Sequence, residues 1–84
     1  MGVYLLICED ASNLGGPMGS EYTTHVFSKV FSSLQSAKDY AKAHRERRGG
    51  KWPDWAEWKR DRKTHWHVDA GTHIYKIDYQ EVEE

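Results

Sequence analysis

The chain has little of what usually holds a small domain together or announces its chemistry. Its 84 residues include one cysteine, two prolines and only fourteen Leu, Ile, Val and Phe residues. A single cysteine excludes an internal disulfide, so an oxidising compartment offers no stabilisation. That residue, Cys8, closes the run Val3-Tyr4-Leu5-Leu6-Ile7-Cys8, where a buried and inert thiol is expected. Six apolar residues are too few for a signal-peptide core or a membrane span, and only Met1-Gly2 precedes them. We therefore expect a cytoplasmic protein with no membrane role. The glycine-rich segment Gly15-Gly16-Pro17-Met18-Gly19 lacks the G-x-x-x-x-G-K-[ST] phosphate cradle, and Pro17 removes a donor. No catalytic or cofactor fingerprint, repeat or linker is present. One domain covering residues 1–84 and needing no cofactor is the expectation.

So few aliphatic residues, about 17 % of the chain, would by themselves suggest disorder. Two features oppose that. The net charge is −1, so self-repulsion is weak, and eleven aromatic residues supply large burial. A chain this short hides only about 60 % of the surface its unfolded form exposes. Its core must therefore draw on Tyr and Trp.

Val3 to Cys8 is apolar on both sides and reads as a central strand. Residues 9–20 follow as a long flexible loop. Glu21 to Phe31 is rich in Thr, Val and Phe and reads as a second strand. Its apolar residues recur every four positions, which predicts a bulge near Ser28-Lys29. Ser32 or Ser33 then caps a helix from Leu34 to Arg47, Ser32 with Gln35 having capping-box spacing. Leu34, Ala37, Tyr40, Ala41 and His44 share one face of that helix. We expect this face to meet Leu5, Ile7 and Phe27 or Phe31. Gly49-Gly50 ends the helix, and Arg45, Arg47 and Arg48 complement its dipole. Lys51 to Lys63 reads as irregular or as a short helix with Trp52, Trp55 and Trp58 on one face. Thr64–Val68 and Thr72–Tyr79 form a hairpin, and residues 81–84 fray as an acidic tail. The fold class is thus α+β. A small antiparallel sheet of about four strands, in β-β-α-β-β order, carries one amphipathic helix and a Trp-rich connection.

Charge is distributed unevenly. Ten of the twelve Lys and Arg residues, and all four tryptophans, lie between Lys38 and His67. The first 31 residues carry −2, residues 32–63 carry +5, and the last 21 carry −4. Trp and Arg are the residues most enriched at interface centres. Arg45, Arg47, Arg48, Lys51, Trp52, Trp55, Trp58, Arg60 and Arg62 are accordingly the candidate binding residues. Three readings compete for them. In one, the cations neutralise phosphates while tryptophans stack on unpaired bases. Asp39, Glu46, Asp54, Glu57 and Asp61, interleaved in the same stretch, oppose it. In another, the tryptophans anchor a protein interface with a charged rim, as in small inhibitors and adaptors of phages and mobile elements. In the third, the tryptophans are the missing core, with Trp66 and one of Trp55 and Trp58 inside and Trp52 exposed. Protein binding leads, and nucleic acid is the alternative partner.

The histidines form a second constellation. His65, His67 and Asp69 at i, i+2 and i+4 leave one face of a strand, as weak candidates for a metal set. A two-residue turn at Ala70-Gly71 sends His73 to the opposite face, whereas a bulged turn pairs it with His67. The bland reading is an edge hairpin with Trp66 and Val68 inward and His65 and His67 in water. No closed cysteine-containing zinc set is present, so no metal is expected. The enzyme reading to carry is a metal-independent ribonuclease using two histidines as base and acid.

Overall fold

A computed structural model of the chain describes residues 2–11, 24–48, 50–71 and 73–82. Strands β1 (Gly2–Asp10) and β2 (Thr24–Phe31) precede helix α1 (Leu34–Arg47). Strands β3 (Lys59–Arg62), β4 (His65–Asp69) and β5 (His73–Glu81) follow it. All neighbours in the sheet are antiparallel, in the order β2-β1-β5-β4-β3. The helix lies on one face. The α+β expectation therefore holds in outline, with five strands instead of about four. Most of the expected loop over residues 9–20 and the end of the acidic tail lie outside the described residues. Asp10 extends β1 and Glu81 ends β5.

The additional strand is β3. Lys59-Arg60-Asp61-Arg62 has no apolar alternation, and all four residues are exposed. It exists because β4 supplies a pairing edge: Lys59 opposes His67, Arg60 opposes Trp66, and an irregularity between Arg60 and Arg62 brings Arg62 opposite His65. The reading of Lys51 to Lys63 as irregular or helical is corrected over its last third by this partner strand.

Alternation along the central strands sorts their side chains onto two faces. Leu6 and Cys8 of β1, Tyr75 and Ile77 of β5 and Val68 of β4 are buried beneath Ala37 and Ala41 of the helix. Two alanines let the helix approach the sheet closely, while Phe27, Phe31, Leu34 and Tyr40 close the margin toward β2. Leu5 and Ile7 stand on the other, uncovered face, where Leu5 opposes Val30 and Ile7 opposes Ser28. The expectation that the helix meets Leu5 and Ile7 is thereby corrected. Every residue of the run from Val3 to Cys8 is apolar, so either face could have been the inner one.

The helix spans the expected residues. Its cap is Ser33, which accepts from the Ser36 N–H at 3.1 Å. Gln35 donates to Asp39 and does not complete a capping box with Ser32. The expected bulge lies two residues away from its predicted place: Cys8 opposes Phe27 and Glu9 opposes His25, so Val26 is the extra residue.

The second hairpin adopts neither register considered from sequence. Val68 opposes Tyr75 and Asp69 opposes Ile74, and the Ala70 N–H donates to the His73 carbonyl at 2.9 Å. Gly71, at φ 95°, occupies backbone space that favours glycine, and its N–H donates to the Asp69 carboxylate at 2.9 Å.

Candidate binding surface

Three of the four tryptophans pack against the core. Trp52 and Trp58 stack at 6.4 Å, and Trp52 lies 6.0 Å from the buried Tyr75 ring, so this pair extends the roof that the helix begins. Lys38 sits over Trp58. Trp66 packs on Tyr4 at 6.0 Å, and the Arg60 guanidinium covers its ring at 5.4 Å. Trp55 is the exception, with 66 % of its surface exposed. The expected exposure of Trp52 is corrected: the core lacks aliphatic volume, and Trp52 fills it. Trp52 and Trp58, six residues apart, come together while Trp55 between them is directed outward, so the three do not share the one helical face expected of them.

The exposed indole borders a shallow groove of about 300 Å³ lined by Trp55, Glu57, Lys59, His67, Val68 and Asp69. A Cβ built on Gly71 would stand 3.9 Å from the Trp55 ring, so the tip of the β4–β5 hairpin backs the indole.

The cations do not form one continuous patch. Arg45 donates from Nε to the Ala70 carbonyl at 3.3 Å, tying the helix to the β4–β5 hairpin. Arg47 lies over the Tyr40 ring at 5.7 Å. Arg48 caps the helix C-terminus and is exposed, as is Lys51 beyond it. Arg60 and Arg62 are on β3, and Arg62 opposes His65 toward the end of the sheet where Gly2 and Glu81 pair. The helix ends at the opposite end, beside His73 and Asp10. Asp54 and Glu57 lie in the segment between the two cation groups.

The histidines separate likewise. His65 and His67 leave the uncovered face, paired with Asp78 at 3.3 Å and with Asp61 at 2.6 Å. Asp69 accepts from Gly71 and joins neither pair. His73 points to the covered face, where its ring lies 5.5 Å from that of His44. Among the described residues no three His, Cys, Asp or Glu side chains are placed to hold a metal ion. The candidate set of His65, His67, Asp69 and His73 is therefore not brought together.

Sequence reasoning placed His44 on the inner face of the helix but missed the polar network it enters. His44 Nδ1 is 2.9 Å from the Tyr75 hydroxyl, which also hydrogen-bonds the Cys8 thiol. Burial pushes the thiol up to about 11, with Asp10 and Glu9 adding to the rise and the Tyr75 bond opposing it. Burial likewise raises Tyr75. Burial lowers His44, and His73, Arg48 and Arg47 lower it further. His73 is lowered by burial and by Arg45 and Arg48, against the opposing pull of Asp10. Neutral groups that hydrogen-bond one another under the helix suit a structural network. An acidic, fully buried thiol site for nucleophilic chemistry would need the opposite shift.

Compared with protein-family models, curated proteins and solved structures, the chain matches none. Fold and surface define its class: a small domain with a five-stranded antiparallel sheet and one packed helix. Among the described residues no helix is long and apolar enough to cross a membrane.

Proposed function

We propose that this chain is a non-enzymatic binding module that acts on another protein through the surface around Trp55, in the manner of a small inhibitor or adaptor. One observation carries the reading. The core recruits three tryptophans and leaves the fourth, Trp55, largely in solvent beside a groove of mixed charge. An exposed indole contributes little to folding, whereas at the centre of a protein contact it is the residue type most often dominant. Glu57, Lys59 and Asp69 around it fit a polar rim of both signs. A single-stranded nucleic acid would need cations tracking along its backbone, and here they are divided between the helix end and β3.

Affinity capture with the immobilised chain tests this, using nuclease-treated lysate at low and at physiological salt. A specific protein should be retained at both. Trp55→Ala should weaken its retention by about 2 kcal/mol or more without changing the melting temperature much. Retention of oligonucleotides alone from a parallel untreated lysate, with no protein retained after nuclease treatment, would refute the reading.

A second reading draws on one observation. His65, His67, Lys76, Asp61 and Asp78 line a common hollow on the uncovered face, so two imidazoles and an ammonium share a surface. These are the groups a metal-independent ribonuclease uses as base, acid and phosphorane stabiliser. RNA cleavage in EDTA by the parent chain, abolished in His67→Ala, would promote it above protein binding.

A further inference from the structure

We infer that the outer edge of β3 takes up an acidic peptide in extended conformation, added as a sixth strand of the sheet; this deepens the protein-binding reading and rests on it. β3 is the last strand on its side of the sheet, so those N–H and C=O groups of Lys59–Arg62 that do not pair with β4 lie on its outer side. The irregularity between Arg60 and Arg62 interrupts the alternation, and Arg60 Nε already holds the Arg62 carbonyl at 3.3 Å. Such an edge is a template for strand addition, in which main-chain bonds supply affinity and side chains supply selectivity.

The side chains along this edge select the partner's charge. Asp61, its one acid, is held by His67 at 2.6 Å. Arg60 turns onto Trp66, and its guanidinium donates to the Arg62 carbonyl at 3.3 Å and the Lys63 carbonyl at 2.7 Å. Lys59, Arg62 and Lys63 remain, and among the described residues the ion pairs run elsewhere. A chain of net charge −1 thus presents three uncommitted cations within five residues of an open strand edge. The other edge strand, β2, has no such excess: Lys29 lies over the Tyr40 ring at 4.6 Å and His25 is bonded to Ser28. Charge complementarity therefore favours β3 as the receiving edge and Glu or Asp in the added strand.

A peptide fits this edge better than a phosphodiester. The outward groups of a strand edge are both donors and acceptors, which another backbone matches and a phosphodiester, lacking donors, does not. Trp66, which packs beside this edge, has a guanidinium laid over it and is not open for base stacking. Lys59, at one end of β3, also lines the Trp55 groove, which would receive an apolar residue at that end of the peptide.

The test titrates the isotope-labelled full chain with an acetylated seven-residue peptide alternating Glu and Val. Amide shifts and slowed hydrogen exchange should concentrate on Lys59 to Lys63 and on β4. Binding should weaken as salt rises, and by about tenfold or more in Lys59→Glu and in Arg62→Glu/Lys63→Glu. All three positions are exposed, so both variants should keep the parent spectrum elsewhere, and either one suffices for the comparison. N-methylation of alternate peptide nitrogens should abolish binding. The inference is overturned if the N-methylated peptide binds equally well. It is also overturned if the Lys/Val counterpart binds as tightly, or if oligo(dT) displaces the acidic peptide from β3. Loss of protein capture in Trp55→Ala without any peptide effect on β3 would sink strand addition alone. Strand addition at β3 combined with capture indifferent to Trp55 would sink only the Trp55-centred reading.

Discussion

The two faces of this sheet are built from the same strands and obey different rules. On β1, Leu6 and Cys8 have no exposed surface, while their neighbours Leu5 and Ile7 remain half-buried on the side without a helix. On β4 and β5 the contrast is chemical: Trp66, Val68, Tyr75 and Ile77 face the helix, and His65, His67, Lys76 and Asp78 face away. Polar groups exist on both sides. Under the helix they form a closed network, Cys8–Tyr75–His44, in which each group has a partner and stays neutral. On the open side they form partly exposed contacts, His65–Asp78, His67–Asp61 and Lys76–Glu9, of which Lys76–Glu9 joins two groups charged at neutral pH. Exposed ion pairs contribute about 0–1 kcal/mol each because solvent screens them. A buried polar group left without its partner destabilises by about 1–3 kcal/mol. Histidine, present on both faces, therefore serves structure in the network under the helix and stands partly exposed in pairs on the open side.

The sharpest way to break this comparison is to place a charge on each face. Ala41→Asp puts an unpaired carboxylate where no surface is exposed and should unfold the domain, since a penalty of several kcal/mol rivals its whole stability. Val30→Asp, at a site 56 % exposed on the open face, should change stability by roughly 0.5 kcal/mol. Circular dichroism melts of the two variants decide it, and equal melting temperatures would refute the assignment of faces.

A smaller contrast lies within β1. Leu6→Ala should cost about 2–5 kcal/mol through lost burial and a residual cavity. Leu5→Ala, one residue away, should cost well under half of that because the site is open on one side. Urea titrations measure both differences, and reversal of their order would place the helix on the wrong face.

The covered network gives a third effect. Tyr75→Phe strips the partner from both His44 and Cys8 and should destabilise by about 1–3 kcal/mol. It also bears on pH. His44 and His73 are both lowered from 6.5 in the folded state, so the unfolded chain binds more protons as the medium acidifies. Their contribution to stability is present above pH 6.5 and declines as pH falls through that value toward the folded pKa. Urea midpoints should drop between pH 7.5 and pH 5, and His44→Gln should flatten the slope. An unchanged slope in that variant would remove His44 from the network's account of acid sensitivity.

The smallest single effect is expected at Trp55, in contrast to Trp52. Trp55→Ala should alter stability by roughly 0.5 kcal/mol or less, whereas Trp52→Ala should cost about 2–3 kcal/mol by opening the roof over Tyr75. Guanidinium melts of the pair would show which indole the fold depends on.

Much of the architecture was legible from residues alone. Helical spacing of Leu34, Ala37, Tyr40, Ala41 and His44, with Ser33 before and glycine after, determined α1 because those signals are local. The scarcity of aliphatic residues determined that aromatic rings must enter the core, and Trp52, Trp58 and Trp66 pack on it. The nine candidate binding residues were also named from composition. Their division into a helix end, a roof, one exposed indole and an edge strand was not legible, because it follows from where distant elements meet. Tertiary structure alone decided which face of the all-apolar β1 turned inward. It made a strand of Lys59–Arg62 by offering β4 as partner. It set the hairpin register that parts His73 from His65 and His67, and it left Trp55 rather than Trp52 in solvent. In each case local periodicity permits two arrangements of similar energy, and the choice comes from packing against residues far away in sequence.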